Sequence, residues 1–167
     1  MSARAHLAYG YDLGTGEDFR AAERGEYGSP KLPWLNDGED GEDEGFGGGV
    51  ERLLLASTGF VEIPWGQRKG YDEDARRAYY TAKAEAEKRC GVELDHSGHS
   101  DYAGWVLVAK DSERNVEWSD VMTVDLDELT NRPSYEGWDT KLSDALAALG
   151  ITPTQGGPKW LVYPSYG

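Results

Sequence analysis

Cysteine is nearly missing from this chain: Cys90 stands alone among 167 residues. No internal disulfide can staple the fold, so packing must hold it. Basic charge is also scarce, with 17 Lys and Arg against 31 Asp and Glu, a net charge of −14. Such a surface repels phosphates and anionic lipid, so neither direct nucleic-acid binding nor membrane binding is expected. Long apolar runs are absent. Nothing approaches the roughly 18 residues of a membrane span, and Met1 to Leu13 holds no signal-peptide run. The expectation is a soluble, cytoplasmic protein.

Aromatics and glycine are what the chain has in quantity, with ten Tyr, six Trp and 22 Gly. The aromatics suffice for a core, and the glycines promise long, irregular connections. The length suits one domain, 1–167. Leu7, Tyr9, Tyr11 and Leu13 alternate within Ala5 to Leu13, which reads as a half-buried strand, with Gly10 marking a close backbone approach. From Gly14 to Gly49 the chain reads as a long acidic, Gly-rich insertion with little to bury.

A helix is expected from Val50, stopped by Gly59, with Phe60 packing back on its last turn. The second helix runs from an Asp72 N-cap to Gly91. Its seam is Ala75, Tyr79, Ala82, Ala86 and Cys90, which makes Cys90 a buried, inert thiol. Extended segments follow at Val92 to Asp95, Gly104 to Ala109 and Val116 to Leu126, the last broken near Ser119-Asp120. Asp125 to Leu129 suits a helical turn. Ser134 caps a third helix with Trp138, Leu142, Ala145, Leu146 and Leu149 inward, and Lys159 to Tyr163 is a final strand. Helices clustered between strands point to α+β. The expectation is one mostly antiparallel sheet of about five strands, with three helices on one face over a single core layer.

Few residues group as chemistry requires. His96, His99 and Asp101 fall within one short segment and offer a weak metal or acid/base set, the basis for a metal-dependent or His/Asp hydrolase alternative using 96–101. Asp, Ser and Gly around them also make an ordinary hairpin turn, and His6 is the only other His. Ser97 and Ser100 lack the Gly-x-Ser-x-Gly setting. Gly45 to Gly49 lacks the Gly-Lys-Ser/Thr ending of a phosphate loop, and the acidic run misses the EF-hand register. No catalytic residue, metal or cofactor is assigned.

The acidic run Asp37, Glu39, Asp40, Glu42, Asp43 and Glu44 is instead a candidate partner-binding element, because flexible carboxylates steer encounter with Lys and Arg. Without those six groups the charge is still −8. An acidic compact body suits a mimic of a nucleic-acid backbone. Trp34, Trp65 and Tyr71 sit in loops, where they serve either as core plugs or as interface anchors. Trp34 is placed with the acidic run as partner-binding.

Three segments carry a resemblance. Tyr9-Gly10-Tyr11-Asp12-Leu13-Gly14, Gly137-Trp138-Asp139-Thr140-Lys141-Leu142 and Pro158-Lys159-Trp160-Leu161-Val162 resemble a group of small acidic proteins of unknown function from actinobacteria and their phages. The likeness spans most of the chain and implies a phage or mobile-element accessory protein, an inhibitor or modulator of a host protein in the host cytoplasm. The expected function is thus a non-enzymatic acidic protein that engages a basic surface. A structural or assembly component of a virion or oligomer is a further alternative, with loop Trp residues buried between subunits.

Overall fold

The structure, a computed structural model, describes residues 3–35, 45–68, 70, 72–99 and 103–166. In chain order the elements are β1 (Ala3–Thr15), α1 (Gly45–Ser57), α2 (Glu73–Cys90), β2 (Val92–Ser97), β3 (Gly104–Ala109), β4 (Arg114–Glu117), α3 (Leu126–Tyr135), α4 (Trp138–Leu149) and β5 (Lys159–Tyr166). The fold is α+β with one five-stranded sheet, and every strand pairing in it is antiparallel.

β1 is the spine. Its first half pairs with β4, from Arg4 opposite Glu117 to Leu7 opposite Arg114, and its second half pairs with β3, from Gly10 opposite Val108. β5 pairs along Ala3 to Gly10 and overlaps both stretches. A strand has two edges, so β3 and β4 must share one of them in tandem and β5 must take the other. A 3₁₀ turn at Lys110–Ser112 separates β3 from β4. There the Tyr9 N–H finds no ladder partner and donates to Ser112 Oγ at 2.9 Å. That hydroxyl, wholly buried, donates in turn to Ala109 O. The backbone polar group is satisfied across the gap.

Alternation in β1 sends Tyr9 and Leu13 to the helix side, where they meet Leu107, Val50 and Leu54 of α1, and Trp138, Leu142 and Leu149 of α4. Tyr9, Trp138 and Trp160 pack as an aromatic group with centroids 5.4–6.0 Å apart. On the other face Ala8, Val106, Val108 and Tyr163 form a second small cluster. The single core layer expected from sequence is therefore incomplete. The chain beyond β2 also reaches β5: Gly98 N–H donates to Pro164 O at 2.7 Å, and Gly98 bridges Ser165. β3 and β1 lie between β2 and β5, so this contact requires the sheet to curl around the second cluster.

Among the described residues there are four α-helices rather than three. The expected turn at 125–129 is the start of α3, whose N-cap Asp125 accepts from the N–H groups of Asp127 and Glu128. Pro133 lies inside this helix, which is why sequence pattern ends it early. Proline cannot donate to the carbonyl four residues back, that of Leu129, and the Trp160 indole N–H takes this acceptor at 2.7 Å. Ser134 belongs to α3, and the last helix starts after Gly137, whose φ of +71° turns the chain sharply between the two. α2 keeps its expected ends, the Asp72 cap and left-handed Gly91. Of its expected seam Tyr79 and Ala86 are buried and Ala82 is exposed.

The expected 14–49 insertion is also shorter than its composition suggested. Isolated bridges tie Gly14 to Phe19, Ala21 to Pro153 and Arg24 to Pro30. Phe19, Ala21 and Leu32 are buried in the main core. α1 begins at Gly45, not Val50, and buries Phe46. Phe60 lies against Tyr79 of α2, 5.6 Å between centroids, rather than serving only its own helix.

Candidate functional site

Of the site residues expected from sequence, Trp34, His96 and His99 fall among the described residues. Asp37, Glu39, Asp40, Glu42, Asp43, Glu44, Asp101 and Tyr71 lie outside the described residues. Trp34 is half-buried: its indole N–H donates to Leu149 O at 2.7 Å and its ring lies 5.8 Å from Phe46. It plugs the core instead of presenting a free anchor. His96 and His99 are exposed at and beyond the end of β2. Among the described residues no three His, Cys, Asp or Glu side chains are placed to hold a metal ion. His96 borders a cavity of about 350 Å³ floored by Val50, Leu54, Val92 and Leu94. Cys90 also lines it. The thiol is half-buried, and burial pushes its pKa up, as suits an unreactive sulfur.

Two features stand out that sequence reasoning did not single out. The first is the connection from β4 to α3. Between Arg114 and Arg132 the chain has five carboxylates (Glu117, Asp120, Asp125, Asp127 and Glu128) and no Lys or Arg. Arg4 pairs with Glu117 at 2.8 Å and Arg132 with Glu128 at 3.5 Å, both from the flanks. Asp120 and Asp127 are exposed. Amid these acids Trp118 is 82% exposed, Val121 90% and Leu126 75%. The segment is held in shape: Asp120 N–H donates to Glu117 O, Ser119 takes a left-handed φ of +72°, and Asp125 caps α3. A non-glycine residue in that region is strained, and such strain persists where the surroundings fix it. The alternating apolar residues here suggested a broken strand. In fact β4 ends at Glu117, and the apolar residues that followed had no buried face to occupy.

The second feature is a polar cluster on the curled face. His6 Nδ1 lies 2.6 Å from Glu113 Oε1, and His6 Nε2 lies 2.6 Å from Ser165 Oγ. The imidazole stacks on Tyr163, planes 6° apart, and the Tyr163 hydroxyl donates to Asp95 at 2.5 Å. Burial and that bond to Asp95 push the phenol pKa up strongly. Four segments meet here, with partners 107 and 159 residues from His6, so no local motif could flag it. His6 is out of phase with the alternation of Leu7, Tyr9, Tyr11 and Leu13, so the strand pattern alone turns it toward solvent.

Glu93 neighbours this cluster. Burial raises its pKa, Asp95, Glu113 and Glu87 add to the rise, and Lys110 opposes it. The folded state thus favours the protonated acid. That preference contributes stability in full below the unfolded value, about 4.3, and it is lost as pH rises through the folded value. Glu93→Gln is expected to raise Tm over wild type at pH 7. The difference should vanish below about pH 4, as thermal melts across pH would show.

No protein-family model matches the chain, and neither a curated protein nor a solved structure was found to be similar to it. The structure shows an α+β fold. No described helix is long and apolar enough to cross a membrane.

Proposed function

We propose that this chain is an acidic binding protein that docks on a basic surface of another protein, acting in a host cytoplasm as a modulator of the phage or mobile-element kind its sequence resembles. The observation that carries this reading is the stretch between Arg114 and Arg132, where five carboxylates meet no cation of their own segment. A field of one sign concentrated on one surface favours encounter with the opposite sign and rejects phosphate polymers. Capture of partners from host lysate at low and at high salt tests it. Binding should weaken steeply as salt rises. A partner held equally well at both extremes contradicts the electrostatic mechanism.

The cluster at His6 favours a second reading, hydrolysis of an ester. An ionised carboxylate only accepts hydrogen bonds, so with Glu113 charged the Nδ1 of His6 carries the proton. In the tautomer with its single proton on Nδ1, Nε2 accepts from Ser165 Oγ. That is the arrangement of an oriented base beside a hydroxyl nucleophile. A fluorophosphonate probe should then modify Ser165 of the wild type and leave His6→Ala unmodified. No adduct on Ser165 in the folded wild type ends this reading.

A further inference from the structure

We infer that Trp118, Val121 and Leu126 form the anchor of the docking face, and that the partner it takes is a basic amphipathic segment whose apolar side chains are flanked by Lys or Arg. This rests on the acidic-binding reading and adds to it a contact that charge alone does not provide.

The three residues are 82%, 90% and 75% exposed. They lie within nine positions of one another in the connection that also holds Asp120, Asp125 and Asp127. Val124, 38% exposed, lies between them. Exposed apolar side chains interspersed with carboxylates along one connection supply both the apolar and the polar parts of a protein interface, and Trp is enriched among residues that carry binding energy. The flanks already show how the rim engages cations: Arg4 sits on Glu117 and Arg132 on Glu128. The carboxylates between them would meet further cations from outside in the same manner. The Glu117–Asp120 turn and the Asp125 cap hold the ends of the segment, which lowers the ordering cost of binding.

Charge discriminates among occupants. A second copy of this chain would bring Asp120, Asp125 and Asp127 against the same three carboxylates, and like charges across an interface oppose association. A nucleic acid would offer bases for Trp118 to stack on, but its phosphates would face the same rim. A basic apolar segment satisfies both halves of the surface.

The test titrates two probes into the full chain: a synthetic amphipathic helix of Leu and Lys, and polylysine of matched charge. The wild type should bind the amphipathic helix more tightly. Trp118→Ala should weaken that binding about tenfold or more and leave polylysine binding unchanged. The substituted side chain is exposed, so folding should be intact, as circular dichroism would verify. The triple variant Asp120→Asn, Asp125→Asn, Asp127→Asn should weaken both probes, and Asn at 125 still caps α3. If Trp118→Ala binds the helix like wild type while the triple variant loses affinity, the anchor is wrong and the acidic reading stands. If the triple variant also binds like wild type, the acidic reading fails at this surface. Duplex DNA bound in a Trp118-dependent way would overturn the choice of partner.

Discussion

Gly10→Ala is expected to unfold the protein or to cost more than about 4 kcal/mol, a loss reserved for backbone or core disruption. Gly10 sits in the middle of β1, opposite Val108 on one side and Lys159 on the other. A Cβ there would run into the Leu107 carbonyl oxygen and lie 2.7 Å from Val108 Cα. Those are backbone atoms of the neighbouring strand, and they cannot step aside as a side chain can. Relief would require β3 to separate from β1, whose pairing positions the main core. Gly47→Ala in α1 is the matching control. Nothing lies within 4 Å of a Cβ at Gly47, and helix propensity favours alanine there by about 0.5–1 kcal/mol. Urea denaturation of both variants measures the contrast. A Gly10→Ala protein as stable as wild type would refute the strand register.

The second large effect belongs to Trp138→Ala, expected to cost about 3–5 kcal/mol, a large part of the 5–15 kcal/mol typical of a folded domain. Trp138 is 1% exposed, and its ring contacts those of Tyr9 and Trp160. Arg132 lies over it, 4.9 Å from guanidinium carbon to ring centroid, and so joins α3 to α4. Truncation opens a void where the sheet, α3 and α4 meet. Next to it, the Tyr9 hydroxyl donates to Asp139 at 2.6 Å, and the phenol pKa is pushed up by burial and by this carboxylate. Trp138→Phe keeps an aromatic ring and should lose less. Equal stability of Trp138→Ala and wild type in urea would contradict this packing.

Both effects fall on residues that local pattern already marked. Gly10 stands between Tyr9 and Tyr11 in the alternating strand, and a missing side chain inside a strand signals backbone proximity. Trp138 heads a run with helical spacing to Leu142, Ala145 and Leu149, all buried. Helix ends at Asp72, Gly91 and Gly150 were legible because capping is local chemistry. α3 was not, because Pro133 breaks the helical pattern while its vacated carbonyl partner is supplied by Trp160, 31 residues away. Burial of Phe19 and Leu32 was equally hidden: the Ala21–Pro153 bridge ties that segment to distant chain, and no periodicity records it.

The functional surfaces divide the same way. The carboxylates of 117–128 were visible as letters, yet exposure of Trp118 and Val121 depends on β4 stopping at Glu117. The His6 cluster draws on β1, β2, β5 and the residue preceding β4. Nothing in its local sequence distinguishes His6 from a solvent-facing strand histidine. Pairwise chemistry assembled by sheet register becomes visible only in three dimensions.

The central claim, that the acidic face between β4 and α3 does the docking, is tested most directly by moving the loss of charge. Asp120→Asn, Asp125→Asn, Asp127→Asn should be compared with Glu73→Gln, Asp74→Asn, Glu85→Gln on the exposed side of α2, since both sets remove three negative charges. The readout is affinity for the Leu–Lys helix as a function of salt. A much weaker affinity and a shallower salt dependence are expected for the first set alone, with the second close to wild type. Equal losses in the two variants would mean that net charge, and not this face, governs binding.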